Sequence, residues 1–269
     1  MEIMLIALLF VAGILIGVLA SLFGIGGAIV AIPVFRILLG FSGTEAVGTA
    51  ITLTIPTAIA GALQFSKQGL IKYKTALIGG IAGIVFSIIG AMLTQYIAGS
   101  WLMALLGILI LVLAAMTFLE REKNTETMGD TESAEGELNK KIINTTAIGA
   151  SAGFASGFFG IGGGALLVPL LTKMRGISIK KAVPTSLMMI AIYAIPSSMT
   201  HYALGNVNLS VAGVVLVGAM TGAWIGAGHS ARIDEKKQRT MMAALLAIVG
   251  TLLILNEVAQ STGLIAQGP

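Results

Sequence analysis

The sequence predicts an all-α, polytopic membrane protein made of two inverted five-segment repeats, with short or interrupted helices at Gly-rich motifs. Three observations carry that prediction: an apolar composition, a constant internal offset, and loop charge that alternates between the two copies. Of 269 residues, 56% are hydrophobic and 10% charged, and the mean hydropathy is +0.97. A soluble domain carries roughly 25% charged residues, so this chain lacks the charge that a water-facing surface needs. Apolar runs of about twenty residues, long enough to span a bilayer as helices, recur along its length. Soluble enzymes, nucleic-acid binders and secreted disulfide scaffolds are thereby excluded. The net charge of +4 comes from 16 Lys+Arg against 12 Asp+Glu, and the basic residues sit in loops, where they set topology. Cysteine is absent, which removes disulfides, thiolate nucleophiles and Cys-ligated metals.

The offset is 136 residues. Phe23-Gly24-Ile25-Gly26-Gly27 returns as Phe159-Gly160-Ile161-Gly162-Gly163, and the same step pairs Pro33 with Pro169, Thr49 with Thr185, and Gly90 with Gly226. No gap is needed from Gly13 to Ala91, and Pro and Thr keep the register as well as Gly and Ala. Duplication of one unit explains this. The expected organisation is a membrane repeat over 1–119, a polar linker over 120–141 and a second membrane repeat over 142–269. The linker is rich in Glu, Thr, Asn and Ser, too hydrophilic for a bilayer and too poor in apolar residues to fold alone.

Five apolar segments are expected per copy. They fall near 3–22, 25–40, 45–66, 75–97 and 101–119, then 143–158, 161–174, 181–203, 209–231 and 238–257. The first has no basic n-region and a second copy downstream, so it reads as a retained membrane segment rather than a cleaved leader. The second segment of each copy is short and begins at a glycine cluster.

Loop charge gives orientation. The loop near 67–74 carries Lys67, Lys72 and Lys74, whereas its counterpart near 204–208 is bare. The loop near 98–100 is bare, whereas 231–239 carries Arg232, Lys236, Lys237 and Arg239. Basic loops stay cytoplasmic, so equivalent loops are expected on opposite sides. An odd number of segments per copy requires the same inversion. The expected location is the plasma membrane, with both termini extracytoplasmic and the 120–141 linker cytoplasmic.

The glycines divide into two kinds. Gly13, Gly17 and Ser21, with their copies Gly149, Gly153 and Gly157, recur every four residues, as does the ladder Gly218, Gly222 and Gly226. Such faces let helices approach closely in lipid. The clusters Gly24–Gly27 and Gly160–Gly164 weaken a helix instead. A helix break at membrane depth must be enclosed by protein or line a cavity, and the amides that open the next helix favour an anion. Gly24, Gly26, Gly27, Gly160, Gly162, Gly163 and Gly164 are therefore candidate substrate contacts, with a hinge or tight turn as the plainer reading. Pro33 and Pro169 are candidate hinge or break positions. Thr49 and Thr185, repeat-equivalent hydroxyls, are candidate neutral donors to anion oxygens, against the alternative that they bond back to helix carbonyls.

Other chemistry finds no support. A third glycine of the dinucleotide fingerprint is missing at Ile29 and Ala165, and no Gly-Lys-Ser/Thr sequence exists. His201 and His229 have no Cys, Asp or Glu at ligand spacing, so neither a metal nor a cofactor is expected. His201, near a loop, reads as interfacial rather than as a proton relay.

At these motifs the sequence resembles the sulfite exporter TauE/SafE family of membrane permeases, whose halves each open with a Gly-rich motif followed by a proline. The resemblance covers essentially the whole chain except the linker. It implies transport of a small sulfur-containing anion such as sulfite, thiosulfate or a sulfonate, by a non-enzyme working through alternating access at a midplane site. The expected partners are that anion, the lipid bilayer and, as a candidate, a second copy of the chain. An anion channel, or a scaffold whose glycines only pack helices, remains the alternative.

Overall fold

Ten α-helices appear in a computed structural model that describes residues 2–119, 134–230 and 232–262. The first half contains α1 (Glu2–Phe23), α2 (Ala28–Pro33) continued by a π-helical turn over Val34–Leu38, α3 (Gly43–Ser66), α4 (Tyr73–Leu93) and α5 (Gly99–Leu119). The second contains α6 (Ala134–Phe159), α7 (Gly164–Arg175), α8 (Ile179–Ala203), α9 (Leu209–Ser230) and α10 (Glu235–Ser261). Each helix of the first half has its partner 136 residues on, α1 with α6 through α5 with α10.

Local signals place the boundaries. Ser42 caps α3 by accepting the Glu45 amide at 3.2 Å. Asp234 caps α10 by accepting the amides of Lys236 and Lys237 at 3.1 and 3.4 Å. One boundary needs correction. The 120–141 stretch was expected to be linker throughout, but α6 already begins at Ala134. The apolar run further along carries the helix back into residues whose composition alone would not sustain it. The rest of that stretch, 120–133, lies outside the described residues.

Among the described residues seven helices are long and apolar enough to cross a membrane: α1, α3, α4 with its short 3₁₀ extension, α5, α8, α9 and α10. The chain is a multi-pass membrane protein. The inner pair is α3 and α8, with 72% and 67% of their spanning windows buried, against at most 44% in the other five. Large apolar side chains such as Leu15, Ile81, Phe118 and Ile248 point outward, while Thr54, Thr57, Ser87 and Ser186 are enclosed. That inside-out distribution suits a lipid solvent, where a polar side chain is costly on the outer surface.

The halves interlock through the small-residue ladders. α1 lies along α9, with a Cβ on Gly218, Gly222 or Gly226 meeting the carbonyls of Phe10, Ile14 and Val18 in turn. α6 lies along α4 in the equivalent way, with Gly149, Gly153 and Gly157 against Gly79, Gly83 and Ser87. Both contacts advance together along the two chains, so each pair is parallel. The equivalent helices α3 and α8 instead run antiparallel: Thr52 Oγ1 meets Ser198 Oγ at 2.8 Å, while Gly61 faces Leu187. The same is true of α5 and α10, where Gly107 meets Ile254 and Gly250 meets Leu111.

This arrangement gathers the basic loops at one end of the bundle. Lys67 Nζ lies 4.7 Å from the centre of the Trp224 ring, the Gln68 amide reaches the Ala227 carbonyl at 3.4 Å, and the Lys72 N–H donates to Thr185 Oγ1 at 3.1 Å. At the other end Gly43 packs on Gly99 and Gly48 on Asn206. The cation there is Arg36, and it is paired.

Candidate functional site

The break after α1 starts from glycine conformation. Gly24, Gly26 and Gly27 have φ of 70°, 76° and 92°, and Gly160, Gly162 and Gly163 have 67°, 70° and 74°. A side chain at any of them would be strained in this left-handed region. At the end of α1 the Ile25 N–H donates to the Ala20 carbonyl at 3.0 Å, the closing bond of a Schellman turn. The chain then reverses into α2, and the second half does the same into α7. Both clusters are breaks, as expected from their composition.

The two breaks meet. A Cβ on Gly164 would overlap the Gly24 carbonyl and crowd Ile25, and one on Gly162 would lie 3.4 Å from the Ile25 carbonyl. Gly160 packs on Val47 of α3, and Gly24 packs on Val183 of α8, its repeat equivalent. Thr54 of α3 presents its methyl to both Gly26 and Gly162. Every residue from Phe23 to Ile29 and from Gly160 to Ala165 is buried. No charged side chain belongs to either stretch.

Hydroxyls on the inner helices fix the clusters. Thr57 Oγ1 donates to the Gly26 carbonyl at 2.7 Å, and Tyr193 OH donates to the Gly162 carbonyl at 2.8 Å. Each pair is 31 residues apart, and the two pairs are the same bond in the two halves. Ser186 Oγ adds a bond to the Gly24 carbonyl at 2.9 Å. These side chains engage the glycine carbonyls. Helical bonding begins at the carbonyls of Gly27 and Gly163, which accept from Ala31 and Leu167 at 3.0 and 2.9 Å. Neither Gly27 nor Gly163 supplies a side-chain cap. Within the first turns the Val30 and Leu166 N–H groups also donate to the Gly27 and Gly163 carbonyls, both at 3.1 Å, and the helix dipoles favour a negative charge at these starts.

Thr49 and Thr185 stand elsewhere. Thr49 Oγ1 accepts the Asn208 N–H at 3.0 Å, and Thr185 Oγ1 accepts the Lys72 N–H at 3.1 Å while donating to the Lys181 carbonyl at 2.6 Å. Asn208 and Lys72 are themselves repeat equivalents. The two threonines therefore pin loops at opposite ends of the bundle, and they do not join the glycine clusters. The prolines also differ from expectation as breaks. At Pro33 the α-helix gives way to π-winding, but α7 runs through Pro169 to Arg175 without interruption. Neighbouring helices hold a proline-containing turn in place, so a missing N–H need not open it.

His201, in the last turn of α8, is fully buried, with Nε2 2.8 Å from the Gly157 carbonyl. That contact requires the tautomer with hydrogen on Nε2. Among the described residues no cluster of three or more His, Cys, Asp or Glu could hold a metal. Beside the α3–α8 crossing, a cavity of about 430 Å³ is lined by Thr52, Ile55, Ser198, Met199 and Tyr202 among others.

The sequence did not disclose the ion pair at the far end. Arg36 Nε donates to Glu257 Oε1 at 2.8 Å and Nη2 to Glu257 Oε2 at 3.3 Å; Nη1 reaches the Phe41 carbonyl and Nη2 the Gln260 amide oxygen. Both charged residues are over 90% shielded. The pair ties the π-turn after α2 to the end of α10.

Comparison with known proteins agrees with this architecture. The model of the family described as sulfite exporter TauE/SafE matches residues 9–253. A probable membrane transporter protein of Methanocaldococcus jannaschii is 26% identical, over 94% of this chain and 96% of its own. The probable membrane transporter protein YunE of Bacillus subtilis is 27% identical over 92% of this chain and 96% of its own, and YdhB of the same organism is 28% identical over 89% and 96%. No solved structure matches the chain. With nearly the whole chain matched, and with two buried glycine breaks meeting between inner helices, the protein belongs to the sulfite exporter TauE/SafE family of membrane transporters.

Proposed function

We propose that the protein carries a small sulfur-containing anion, such as sulfite, thiosulfate or a sulfonate, across the plasma membrane by alternating access. The anion binds between Gly24–Gly27 and Gly160–Gly164, held by the opening amides of α2 and α7. The observation that carries this reading is the meeting of two uncapped helix starts, one from each half, in a buried contact without charged side chains. Half-helix N-termini facing a midplane site are a recurring device for anionic substrates in transporters built from repeats.

The halves point in opposite directions across the bilayer. The antiparallel courses of α3 with α8 and of α5 with α10 support this, as does the gathering of basic loops at one end, which is then cytoplasmic. The linker enters from that side and both termini lie opposite. The Arg36–Glu257 pair then closes the extracytoplasmic side of α2. With the interior negative, outward movement of an anion is favoured by about 2.3 kcal/mol per charge per 100 mV, which supports export without a coupling ion.

Proteoliposomes loaded with sulfite or thiosulfate under an imposed potential test the reading. Saturable flux with counterflow is expected, abolished by Gly26→Leu and Gly162→Leu in folded protein. Flux no greater than in protein-free vesicles, across a panel of sulfur oxyanions and sulfonates, retires it. Flux without counterflow indicates a channel.

A further inference from the structure

Arg175 is the last residue of α7, at the basic end of the bundle, and two of its three guanidinium nitrogens are an anomaly. Nε and Nη1 are shielded from solvent and have no hydrogen-bond acceptor among the described residues, although the side chain as a whole is only partly buried. Arginine cannot shed its charge to escape such a site, and buried charged donors without partners are strongly disfavoured. Arg36 shows how the same protein treats a shielded arginine when it means to neutralise it: a carboxylate, an amide oxygen and a backbone carbonyl occupy its donors.

The repeat sharpens the contrast. The position equivalent to Arg175 is Leu39, and an equivalent backbone bond closes the helix end in both halves. Ile177 N–H donates to the Leu171 carbonyl at 3.2 Å, and Phe41 N–H to the Phe35 carbonyl at 3.1 Å. The closing bond is shared although the winding before it differs, so the backbone there does not require an arginine. In the sequence no Asp or Glu occurs between Glu137 and Asp234, while Lys173, Lys180 and Lys181 lie within six positions of Arg175.

We propose that Arg175 is a binding site for an oxyanion at the basic end of the bundle, distinct from the glycine clusters. The ligand chemistry is a sulfate-, sulfonate- or phosphate-type group whose oxygens accept the shielded N–H donors, with the flanking lysines adding attraction. Such a group comes either as a free ion in solution or as the phosphate of an anionic lipid. The site stands on geometry alone and does not depend on transport.

The full chain in phosphatidylcholine nanodiscs is titrated with sodium sulfate by calorimetry. In parallel, retained phosphatidylglycerol is counted by native mass spectrometry after supplying that lipid. Both are repeated for Arg175→Gln, Arg175→Lys and the exposed neighbour Lys173→Gln. One oxyanion per chain is expected for the wild type, with affinity reduced at least about tenfold in Arg175→Gln, the ratio for losing one charge-assisted hydrogen bond. Arg175→Lys retains part of the affinity and Lys173→Gln most of it. Arg175-dependent sulfate binding identifies a free ion as the ligand, and Arg175-dependent lipid retention alone identifies a headgroup. Wild-type protein that binds neither, or binding that Arg175→Gln and Arg175→Lys both leave intact, overturns the proposal. Arg175-dependent binding without sulfite flux leaves this site standing and removes only the transport reading.

Discussion

The Tyr193 hydroxyl lies 2.8 Å from the Gly162 carbonyl and donates to it from the middle of α8. Tyr193 is fully buried, so water cannot replace the bond. Tyr193→Phe should lower stability by about 1–3 kcal/mol, the cost of leaving a buried acceptor unmade. Thr57→Val should cost a similar amount through Gly26. Denaturation of purified protein in mixed micelles measures both, and an undiminished midpoint in either variant would show that the hydroxyl is not what fixes its glycine.

Breaking the Arg36–Glu257 pair from one side should be severe. Glu257→Gln leaves a shielded guanidinium without its carboxylate, and about 3–5 kcal/mol of stability should be lost. The double variant Arg36→Met with Glu257→Leu should recover most of it, because two apolar side chains leave no buried charge behind. The double-mutant cycle reads the coupling directly.

Thr49 and Thr185 separate a structural role from a binding one. Each holds a loop amide, so Thr49→Val and Thr185→Val should reduce stability by about 1 kcal/mol while sulfite flux per folded molecule keeps its half-saturation concentration. A shift in that concentration would return them to the substrate path.

The small-residue ladders predict a contrast between two glycines. A Cβ on Gly17 would collide with the Ala219 carbonyl, whereas one on Gly213 meets nothing within 4 Å. Gly17→Val should separate α1 from α9 and prevent recovery of folded protein. Gly213→Ala should be neutral or stabilising by up to about 1 kcal/mol. Yield and melting temperature of the two variants decide the matter.

Topology has its own measurement. Membrane-impermeant labelling of single cysteines should find both termini accessible from outside intact cells, and the 120–141 stretch accessible only after lysis. Labelling of the linker in intact cells would reverse the assigned sidedness.

The glycine breaks were legible from the residues because a run of glycines has one plain conformational use, and because duplication wrote it twice. What the sequence could not give was the partner of each group. Thr49 and Thr185 share a register position, but symmetry says only that they do the same thing, not that the thing is ligand binding. Arg36 and Glu257 stand 221 residues apart with no repeat relation between them, so only the folded bundle brings them together. Pro169 misled for a related reason: a proline opens an isolated helix, whereas in α7 the packed neighbours hold the turn. The start of α6 was missed because the polarity of 134–141 suggested a linker, and the helix entering from the apolar side overrides it.

The clasp of α1 by α9 has a consequence for biogenesis. The Ser230 hydroxyl bonds the Leu22 carbonyl across 208 residues of chain. At ordinary rates of synthesis, roughly 10–40 s pass between the emergence of those two residues from the ribosome. During that interval the first helix sits in the bilayer with its glycine groove open to lipid. Insertion of this protein is therefore a waiting problem, in which the earliest segment must be kept in reserve until almost the last one arrives to cover it.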